Sequence, residues 1–301
     1  MSTEPADSAK KTTAWILNAA TAYLAANGVD APQATAEHLM ARLFRCKRAE
    51  LVRFRERTLP ETWLEAMRRG MKRLAAGEPI QYVIGQWDFR DFTLKTDARA
   101  LVPRPETEQL VDLVLASEHL RTLPEPRLVD WGTGSGCIAL ALARAFPNAH
   151  VVALDISQDA LDLARENARL LGLDRQIHFV SLADVDAADI FEPATIDAII
   201  SNPPYIPTET VDRLEPKVLA HEPRIALDGG ADGMDVLRLV SDDALMLLNP
   251  GGELFFELDA ESNQAQKMAA YLSESGYADI RIHRDDAGSQ RFLSATLPEG
   301  V

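Results

Sequence analysis

The chain has 301 residues, of which 47% are hydrophobic and 26% charged, so it can bury a sizeable core and has room for about two domains. Its formal net charge of −15 argues against a surface that follows a nucleic-acid backbone. The cysteines, Cys46 and Cys137, show neither disulfide nor metal-ligand spacing, so we expect a reducing compartment and no metal site.

Residues 1–13 are polar, and no run of the chain approaches 18 consecutive apolar residues. This pattern predicts a cytoplasmic protein without a signal peptide or a membrane span. Basic residues cluster between positions 42 and 57 and fit either a solvated helical face or a docking site for a partner.

Residues 1–85 are predicted to contain a small all-helical domain, because apolar side chains recur at helical spacing from about residue 12. In the first helix the apolar stripe includes Trp15 and Tyr23, which we expect in the core. The further helices are predicted over 32–44, 48–54 and 60–76. This domain holds no group suited to chemistry, so we expect it to recognise a protein substrate.

The segment 86–105 is predicted as a β-hairpin linker, because apolar and polar residues alternate over 87–102. From 106 to 301, strands and helices then alternate. Strands are predicted over 127–131, 150–154, 177–181, 196–201 and 252–258, and an antiparallel pair over 278–284 and 291–296. Helices are predicted over 106–119, 135–146, 157–171, 232–249 and 261–275. The fold class is therefore α/β: a Rossmann-like domain with an open, mostly parallel sheet and a C-terminal antiparallel hairpin.

A glycine-rich turn joins the first of these strands to its helix, with the sequence Gly132-Thr133-Gly134-Ser135-Gly136. Such a turn lets the backbone approach a ligand at a helix N-terminus. The next strand ends at Asp155, nineteen residues beyond the turn, where a carboxylate can accept hydrogen bonds from ribose hydroxyls. We therefore predict that these six residues bind a nucleoside-bearing cofactor.

The glycine spacing alone does not identify that cofactor. Gly134, Gly136 and Ala139 also fit the permissive dinucleotide pattern, so a nicotinamide-dependent dehydrogenase is an alternative. Asp130 favours a different ligand, because its carboxylate would attract an ammonium group and repel a pyrophosphate. We add Asp130 to the predicted cofactor site.

The most specific motif is Asn202-Pro203-Pro204-Tyr205, which follows the predicted strand 196–201. Prolines fix φ and remove two backbone donors, which leaves carbonyls free to accept, and the asparagine offers a side-chain acceptor. Tyrosine adds an aromatic face with a polar tip. The loop therefore suits a planar group that carries an NH2. We predict that all four residues bind substrate, and that Asn202, Pro203 and Tyr205 act in catalysis.

Asp130, the glycine turn, Asp155 and the Asn202 loop together resemble class I S-adenosylmethionine-dependent methyltransferases that modify amide or exocyclic amino nitrogens. Three further stretches narrow the resemblance to protein-(glutamine-N5) methyltransferases that act on peptide-chain release factors. They are LVPRPETE at 101–108, HEPRIALDGG at 221–230 and GEPIQYVIG at 77–85. The resemblance covers residues 12–296.

This resemblance implies S-adenosylmethionine as cofactor, S-adenosylhomocysteine as product and the Gly-Gly-Gln glutamine of a release factor as methyl acceptor. It also implies that Asn202 contacts the cofactor, and Asp184 and Val185 align best with the adenine-contacting positions. We expect a monomer that binds neither nucleic acid nor membrane. The sequence departs from the family at Asp91, where glycine is common, and at 255–259, where FFELD replaces a usual Glu-Ile-Gly.

Several alternatives stay open at this point. The acceptor could be a glutamine of a ribosomal protein, although the stretch from Arg104 to Glu108 favours the release-factor branch. It could also be an amino group of a nucleic-acid base, which the net charge disfavours, or the chain could bind cofactor without catalysis. Arg104 and Glu106 fit either the mouth of the ligand pocket or a helix start. Glu222 and Arg224 fit either a loop salt bridge or a substrate contact.

Overall fold

The computed structural model describes residues 12–214 and 221–299. Most of the polar N-terminal segment predicted from the sequence, residues 1–11, lies outside these ranges. The described residues belong to two compact units: 12–86 with His221, and 87–214 with 222–299. No helix in either range is long and apolar enough to cross a membrane.

The first unit is helical, as predicted. Its α-helices are α1 (Thr13–Ala26), α2 (Pro32–Phe44), α3 (Glu61–Ala75) and α4 (Ile80–Ile84). The predicted helix over 48–54 is a 3-10 helix, Arg48–Phe54. Leu24, Met40 and Met67 come from three different helices and are fully buried in one apolar cluster.

The predicted core positions of α1 are partly wrong. Trp15 and Tyr23 remain 49% and 41% exposed, whereas Ile16, Ala20 and Leu24 are buried. These three positions are four residues apart and therefore form the narrow stripe of the helix that faces its neighbours. The sequence pattern predicted a wider apolar face for α1, and part of that face is exposed in the structure.

A hairpin of β1 (Gln86–Phe89) and β2 (Phe92–Lys95) follows, and all of it after Gln86 belongs to the second unit. The tight turn between them places Arg90, and not Asp91, at a positive φ of 53°. The prediction of strand up to residue 102 is wrong, because the chain turns after Lys95. There the Asp97 carboxylate accepts hydrogen bonds from the backbone N–H and the guanidinium of Arg99, a local turn that competes with strand pairing.

The large sheet has seven strands in the order β5-β4-β3-β6-β7-β9-β8. The strands are β3 (Arg127–Trp131), β4 (His150–Asp155), β5 (Ile177–Ser181), β6 (Ile196–Ser201), β7 (Leu248–Glu257), β8 (Ala278–Arg284) and β9 (Gln290–Thr296). The five strands from β3 to β7 are parallel, and β9 pairs antiparallel with β7 and β8. The predicted open sheet with a C-terminal antiparallel hairpin is confirmed.

Helices cover both faces of this sheet. They are α5 (Pro105–Leu115), α6 (Glu118–Thr122), α7 (Cys137–Ala145), α8 (Gln158–Leu171), α9 (Ala187–Ile190), α10 (Thr208–Val211), α11 (Asp235–Leu247) and α12 (Gln264–Glu274). On β3, Leu128 belongs to the apolar cluster of one face and Val129 to that of the other, as the two-residue period of a strand requires.

The strand order reverses direction between β3 and β6. From β3 the chain adds β4 and β5 on one side, and then returns to place β6 and β7 on the other. In open α/β sheets, ligands bind in the crevice that this reversal opens at the carboxyl ends of the strands. The glycine turn follows β3 and Asn202 follows β6, so both lie at that crevice.

Candidate active site

A cavity of about 350 Å³ lies in the second unit at the carboxyl ends of the parallel strands. Its lining includes residues 132–135, Asp155 and Asn202, which come from three neighbouring strand ends. Three parts of the predicted site, the glycine turn, the acid and the asparagine, therefore line one space.

The glycine turn is tied to the neighbouring strand. The N–H groups of Gly132 and Thr133 donate to the Leu154 carbonyl at 2.9 and 2.8 Å. Gly136 is the N-cap residue just before α7, at a φ of 85°, and a Cβ there would lie 3.1 Å from the Cβ of Ala164. Gly136 itself does not line the cavity. Its role in the structure is to let α8 pack closely against the turn.

Asp155 holds the turn from the other side. The Gly134 N–H donates to its Oδ2 at 2.9 Å, and the Ser157 N–H donates to its Oδ1 at 2.8 Å. Burial raises the pKa of this carboxyl, and the backbone hydrogen bonds oppose that rise. Each carboxylate oxygen keeps a second lone pair, so Asp155 can accept further hydrogen bonds from a ligand.

Asp130 lies beneath the turn and does not line the cavity. Its carboxyl is fully buried and accepts on Oδ2 from the Thr133 hydroxyl at 2.6 Å and from the Ala139 N–H at 3.0 Å. Its Oδ1 has no hydrogen-bond partner among the described residues. Burial raises the pKa of Asp130 to about 7. In the structure this group braces the turn, and its contact with a ligand ammonium stays a prediction.

Large apolar side chains form one wall of the cavity. Ile156 and Val185 both line it and remain 54% and 42% exposed, and Ile225 and Leu239, which also line it, are exposed to a similar degree. Asp184, the other predicted adenine contact, does not line the cavity, whereas Asp186 does. The sequence analysis did not predict Ile156 as a site residue. Its position directly after Asp155, at the end of β4, could have indicated this role.

The Asn202 side chain is held in one orientation. Its Nδ2 donates to the Thr107 hydroxyl at 3.1 Å, and that hydroxyl donates to Glu257 Oε2 at 2.8 Å. Its Oδ1 has no hydrogen-bond partner among the described residues. Burial raises the pKa of Glu257 to about 7. Thr107 lines the cavity beside Asn202.

The rest of the loop is supported from behind. Pro204 lines the cavity, whereas Pro203 and Tyr205 do not. The Gln264 side chain donates to the Tyr205 carbonyl at 3.2 Å and to the Gly233 carbonyl at 2.8 Å. Burial raises the pKa of the Tyr205 phenol to about 12, so the hydroxyl is neutral at physiological pH.

Close packing against glycines completes this support. The Gly229 N–H donates to the Ile206 carbonyl at 2.9 Å, and the Ile206 N–H donates to the Leu227 carbonyl at 3.0 Å. A Cβ on Gly229 would lie 2.6 Å from the Pro204 carbonyl oxygen. The 221–230 stretch can therefore pack against the loop that begins at Asn202, because its residue at the closest approach of the two backbones is a glycine.

The segment before α5 forms a further part of the wall, which includes Arg104. Its guanidinium donates to Glu222 at 2.7 Å, and the Glu222 side chain is only 5% exposed. Glu106 does not line the cavity. Arg224 pairs with Asp212 and Asp228. The structure therefore places Arg104 at the cavity and gives Glu222 and Arg224 salt bridges within the unit.

Comparison with known proteins identifies relatives over most of the chain. A family model described as PrmC N-terminal domain matches residues 16–85, and one described as Methyltransferase small domain matches 113–230. A release factor glutamine methyltransferase of Synechocystis sp. is 41% identical over 245 residues, which cover 80% of this chain and 81% of that protein. One of the same name from Deinococcus radiodurans is 41% identical over 286 residues, 95% of this chain and 98% of that protein.

A solved structure supports the fold independently. A methyltransferase from Pyrococcus furiosus matches with a TM-score of 0.50 at 18% identity, over 68% of this chain and 88% of that chain. At that identity the likeness concerns the fold alone. The α/β methyltransferase fold predicted from the sequence is confirmed.

Proposed function

The chain belongs to the family of release factor glutamine methyltransferases, and we propose that it methylates the side-chain amide nitrogen of a glutamine in a peptide-chain release factor. The observation that carries this proposal is the orientation of Asn202. Its Nδ2 is engaged by Thr107, which leaves Oδ1 as the acceptor offered at the cavity. An amide N–H of a substrate is a matching donor.

We propose S-adenosylmethionine as the cofactor and S-adenosylhomocysteine as the product. The cavity combines an acidic acceptor, Asp155, with a backbone turn and an apolar wall, which fit the ribose, the amino-acid part and the adenine of such a ligand. When bound, it supplies a methyl group on a positively charged sulfur. With such a ligand in place, the apolar side chains Ile156 and Val185 would shield this part of the cavity from water, which favours a reaction that removes a charge.

The chemical difficulty lies in the acceptor. The lone pair of an amide nitrogen is delocalised into its carbonyl, so the nitrogen is planar and a weak nucleophile. Asn202 Oδ1 and the Pro203 carbonyl would accept its two N–H groups and hold the nitrogen while it becomes pyramidal. Once methylated, the nitrogen would release one of these two protons to solvent and regain its planar amide form. Among the described residues, no donor is bonded to the Pro203 carbonyl. Tyr205, with its neutral phenol, would pack against the amide plane.

The partner that we propose is a peptide-chain release factor, with the glutamine of a Gly-Gly-Gln tripeptide as the acceptor. Two glycines beside the glutamine leave the side chain without bulky neighbours and allow a narrow approach to the cavity. The names of the Synechocystis and Deinococcus relatives support this substrate class.

The test is incubation of the purified chain with labelled S-adenosylmethionine and a recombinant release factor, followed by mass spectrometry of the Gly-Gly-Gln peptide. Asn202→Ala should lower kcat by about 100-fold or more, a loss typical of a removed transition-state hydrogen bond. Cofactor affinity, measured by calorimetry, should change little because Asp155 and the glycine turn remain.

Asn249→Ala is the matched control, because Asn249 bonds Asp197 and does not line the cavity. Normal turnover by Asn202→Ala would contradict the amide-holding role. Absence of transfer to the release factor by the unmodified chain, with transfer to a ribosomal protein, DNA or RNA, would overturn the proposed substrate.

A further inference from the structure

A buried hydrogen-bond chain runs from the candidate active site into the sheet. It links Asn202 after β6, Thr107 on α5 and Glu257 at the end of β7. Thr107 and Glu257 are 2% and 1% exposed. We infer that Thr107 and Glu257 are positioning residues, which set the orientation of the Asn202 amide and thereby turn its oxygen toward the substrate. This inference rests on the proposed function.

The direction of each hydrogen bond follows from what the groups can donate. An ionised carboxylate only accepts, so Glu257 takes the single hydroxyl proton of Thr107. The Thr107 oxygen can then only accept from Asn202, and only the NH2 end of that amide is a donor. The opposite orientation would place the Asn202 oxygen against the lone pairs of the Thr107 oxygen. The charge on Glu257 therefore decides which end of Asn202 lies toward the substrate.

Protonation of Glu257 would remove this preference. A neutral carboxyl can donate to the Thr107 oxygen, and the Thr107 hydroxyl can then donate to Asn202 Oδ1, with the Asn202 amide turned over. Its NH2 group would then face the N–H groups of the substrate amide. Both sides would be hydrogen-bond donors, so no hydrogen bond could form between them. Because the ionised form is the productive one, kcat should fall as the pH falls through the pKa of Glu257.

Several charged groups face Glu257 and influence that titration. Burial is the largest effect and raises its pKa, and Glu106 on α5 raises it further. Arg291 on β9 and Arg104 before α5 lower it. The Tyr205 phenol and the Cys137 thiol also lie near Glu257, and burial raises the pKa of both.

The experiment compares Thr107→Val, which removes the hydroxyl at nearly constant volume, with Thr107→Ser, which keeps it. Methylation of a recombinant release factor is measured at saturating S-adenosylmethionine, with cofactor affinity measured separately. Thr107→Val should lower kcat by about 10- to 100-fold, the effect of one misdirected hydrogen bond at a reacting group. Thr107→Ser should recover most of the loss. Both variants should bind the cofactor with an affinity within about threefold of the unmodified chain, because the loss of one contact between uncharged groups has an effect of about this size.

Glu257→Gln tests the charge itself. The pH profile of kcat should show an acid limb with a midpoint between about 4.3, the ordinary carboxyl value, and about 7, and Glu257→Gln should lack this limb. The matched control is Glu253→Gln. Glu253 also lies on β7 and accepts a hydrogen bond from a hydroxyl group, that of Ser117, but it does not line the cavity. It should keep both kcat and the limb.

Each outcome separates this inference from the proposed function. Full kcat in Thr107→Val, or equal losses in Thr107→Val and Thr107→Ser, would overturn the role of the hydroxyl while release-factor methylation stands. If Thr107→Val fails to fold, an acid limb that persists unchanged in Glu257→Gln would overturn the inference. Failure of the unmodified chain to methylate the release factor would instead remove the proposed function.

Discussion

The protein fixes Asp155 in the position where we propose that it binds the ribose of the cofactor. Its two oxygens accept backbone N–H groups from Gly134 and Ser157, so the carboxylate is fixed in place before any ligand arrives. A fixed acceptor loses little side-chain entropy on binding, which favours affinity. The same bonds tie the glycine turn to the start of α8, so the residue also shapes the site.

We predict that Asp155→Ala weakens cofactor binding by about 10- to 100-fold, because hydrogen bonds to a charged group contribute about 1.5–3 kcal/mol. The variant loses both the ribose acceptor and the anchor of the Gly134 N–H. Titration calorimetry with S-adenosylmethionine measures the change, and kcat at saturating cofactor should fall much less. Asp174→Ala, at an exposed position, serves as the control. An unchanged affinity in Asp155→Ala would contradict the ribose-binding role.

At the residue scale, the sequence predicts which functional side chains lie at the ends of strands. It does not predict the residues to which these side chains are hydrogen-bonded. Asp155 and Asn202 were predictable because each follows a buried apolar run, and parallel strand ends meet at one edge of a sheet. Thr107 lies 95 residues from Asn202 and 150 from Glu257 along the chain. Only tertiary packing brings these three together, so no local pattern indicated the chain of hydrogen bonds.

At the scale of the elements, the position of the loop that begins at Asn202 depends on the segment that packs behind it. Gly229 approaches the loop so closely that a Cβ would lie 2.6 Å from the Pro204 carbonyl oxygen and 2.8 Å from the Tyr205 Cα. Both neighbours are backbone atoms, which cannot turn aside as a flexible side chain can. Any side chain at this position must therefore displace the loop.

We predict that Gly229→Ala lowers kcat by about tenfold or more, since a displacement of about 1 Å in a catalytic group can cost up to 100-fold. Cofactor affinity should change less, because the glycine turn and Asp155 lie on other elements. The control is Gly276→Ala, where a Cβ meets nothing within 4 Å, and only stability should suffer, by about 1 kcal/mol, from its positive φ. Equal kcat in the two variants would contradict the steric argument.

The sequence predicted the regular elements well and their irregular ends poorly. The apolar periods located the central strands and the long helices to within a few residues, because burial on one or both faces requires those periods. By contrast, β7 begins at Leu248, four residues before its predicted start, because Asn249, Pro250 and Gly251 resemble a turn in composition. The register of β6 and β7 shifts there, so the strand accommodates these residues in a bulge.

Asp130 and Glu257 are two almost fully buried carboxyls of the second unit, and both are costly to ionise. Burial raises the pKa of both Asp130 and Glu257 to about 7, far above the range of exposed carboxyls. Between about pH 4 and pH 7 these two carboxyls therefore bind more protons in the folded state than in the unfolded chain. Their contribution to the unfolding free energy then falls as the pH rises through this window.

Other carboxyls act in the opposite direction but at lower pH. Hydrogen bonds from Arg99 and Lys95 lower the pKa of Glu166 to about 2, and a hydrogen bond from Arg99 also lowers that of Asp97. Their stabilisation is complete above the ordinary carboxyl pKa and is lost only as the pH falls below it. These lowered pKa values therefore act on stability below about pH 4, whereas the raised pKa values of Asp130 and Glu257 act between about pH 4 and pH 7.

We therefore predict that the midpoint of thermal unfolding, measured by circular dichroism, falls as the pH rises from 5 to 8. Asp130 alone should contribute on the order of 4 kcal/mol across its full titration, because one pKa unit corresponds to about 1.4 kcal/mol. Asp130→Asn, which cannot ionise, should flatten this slope, whereas the control Asp162→Asn at an exposed position on α8 should keep it. If the midpoint rises with pH, or if its slope against pH is unchanged in Asp130→Asn, then ionisation of the buried Asp130 carboxyl does not destabilise the fold. Since this carboxyl braces the glycine turn, its partial ionisation at neutral pH lowers the stability of the fold and places negative charge beneath that turn.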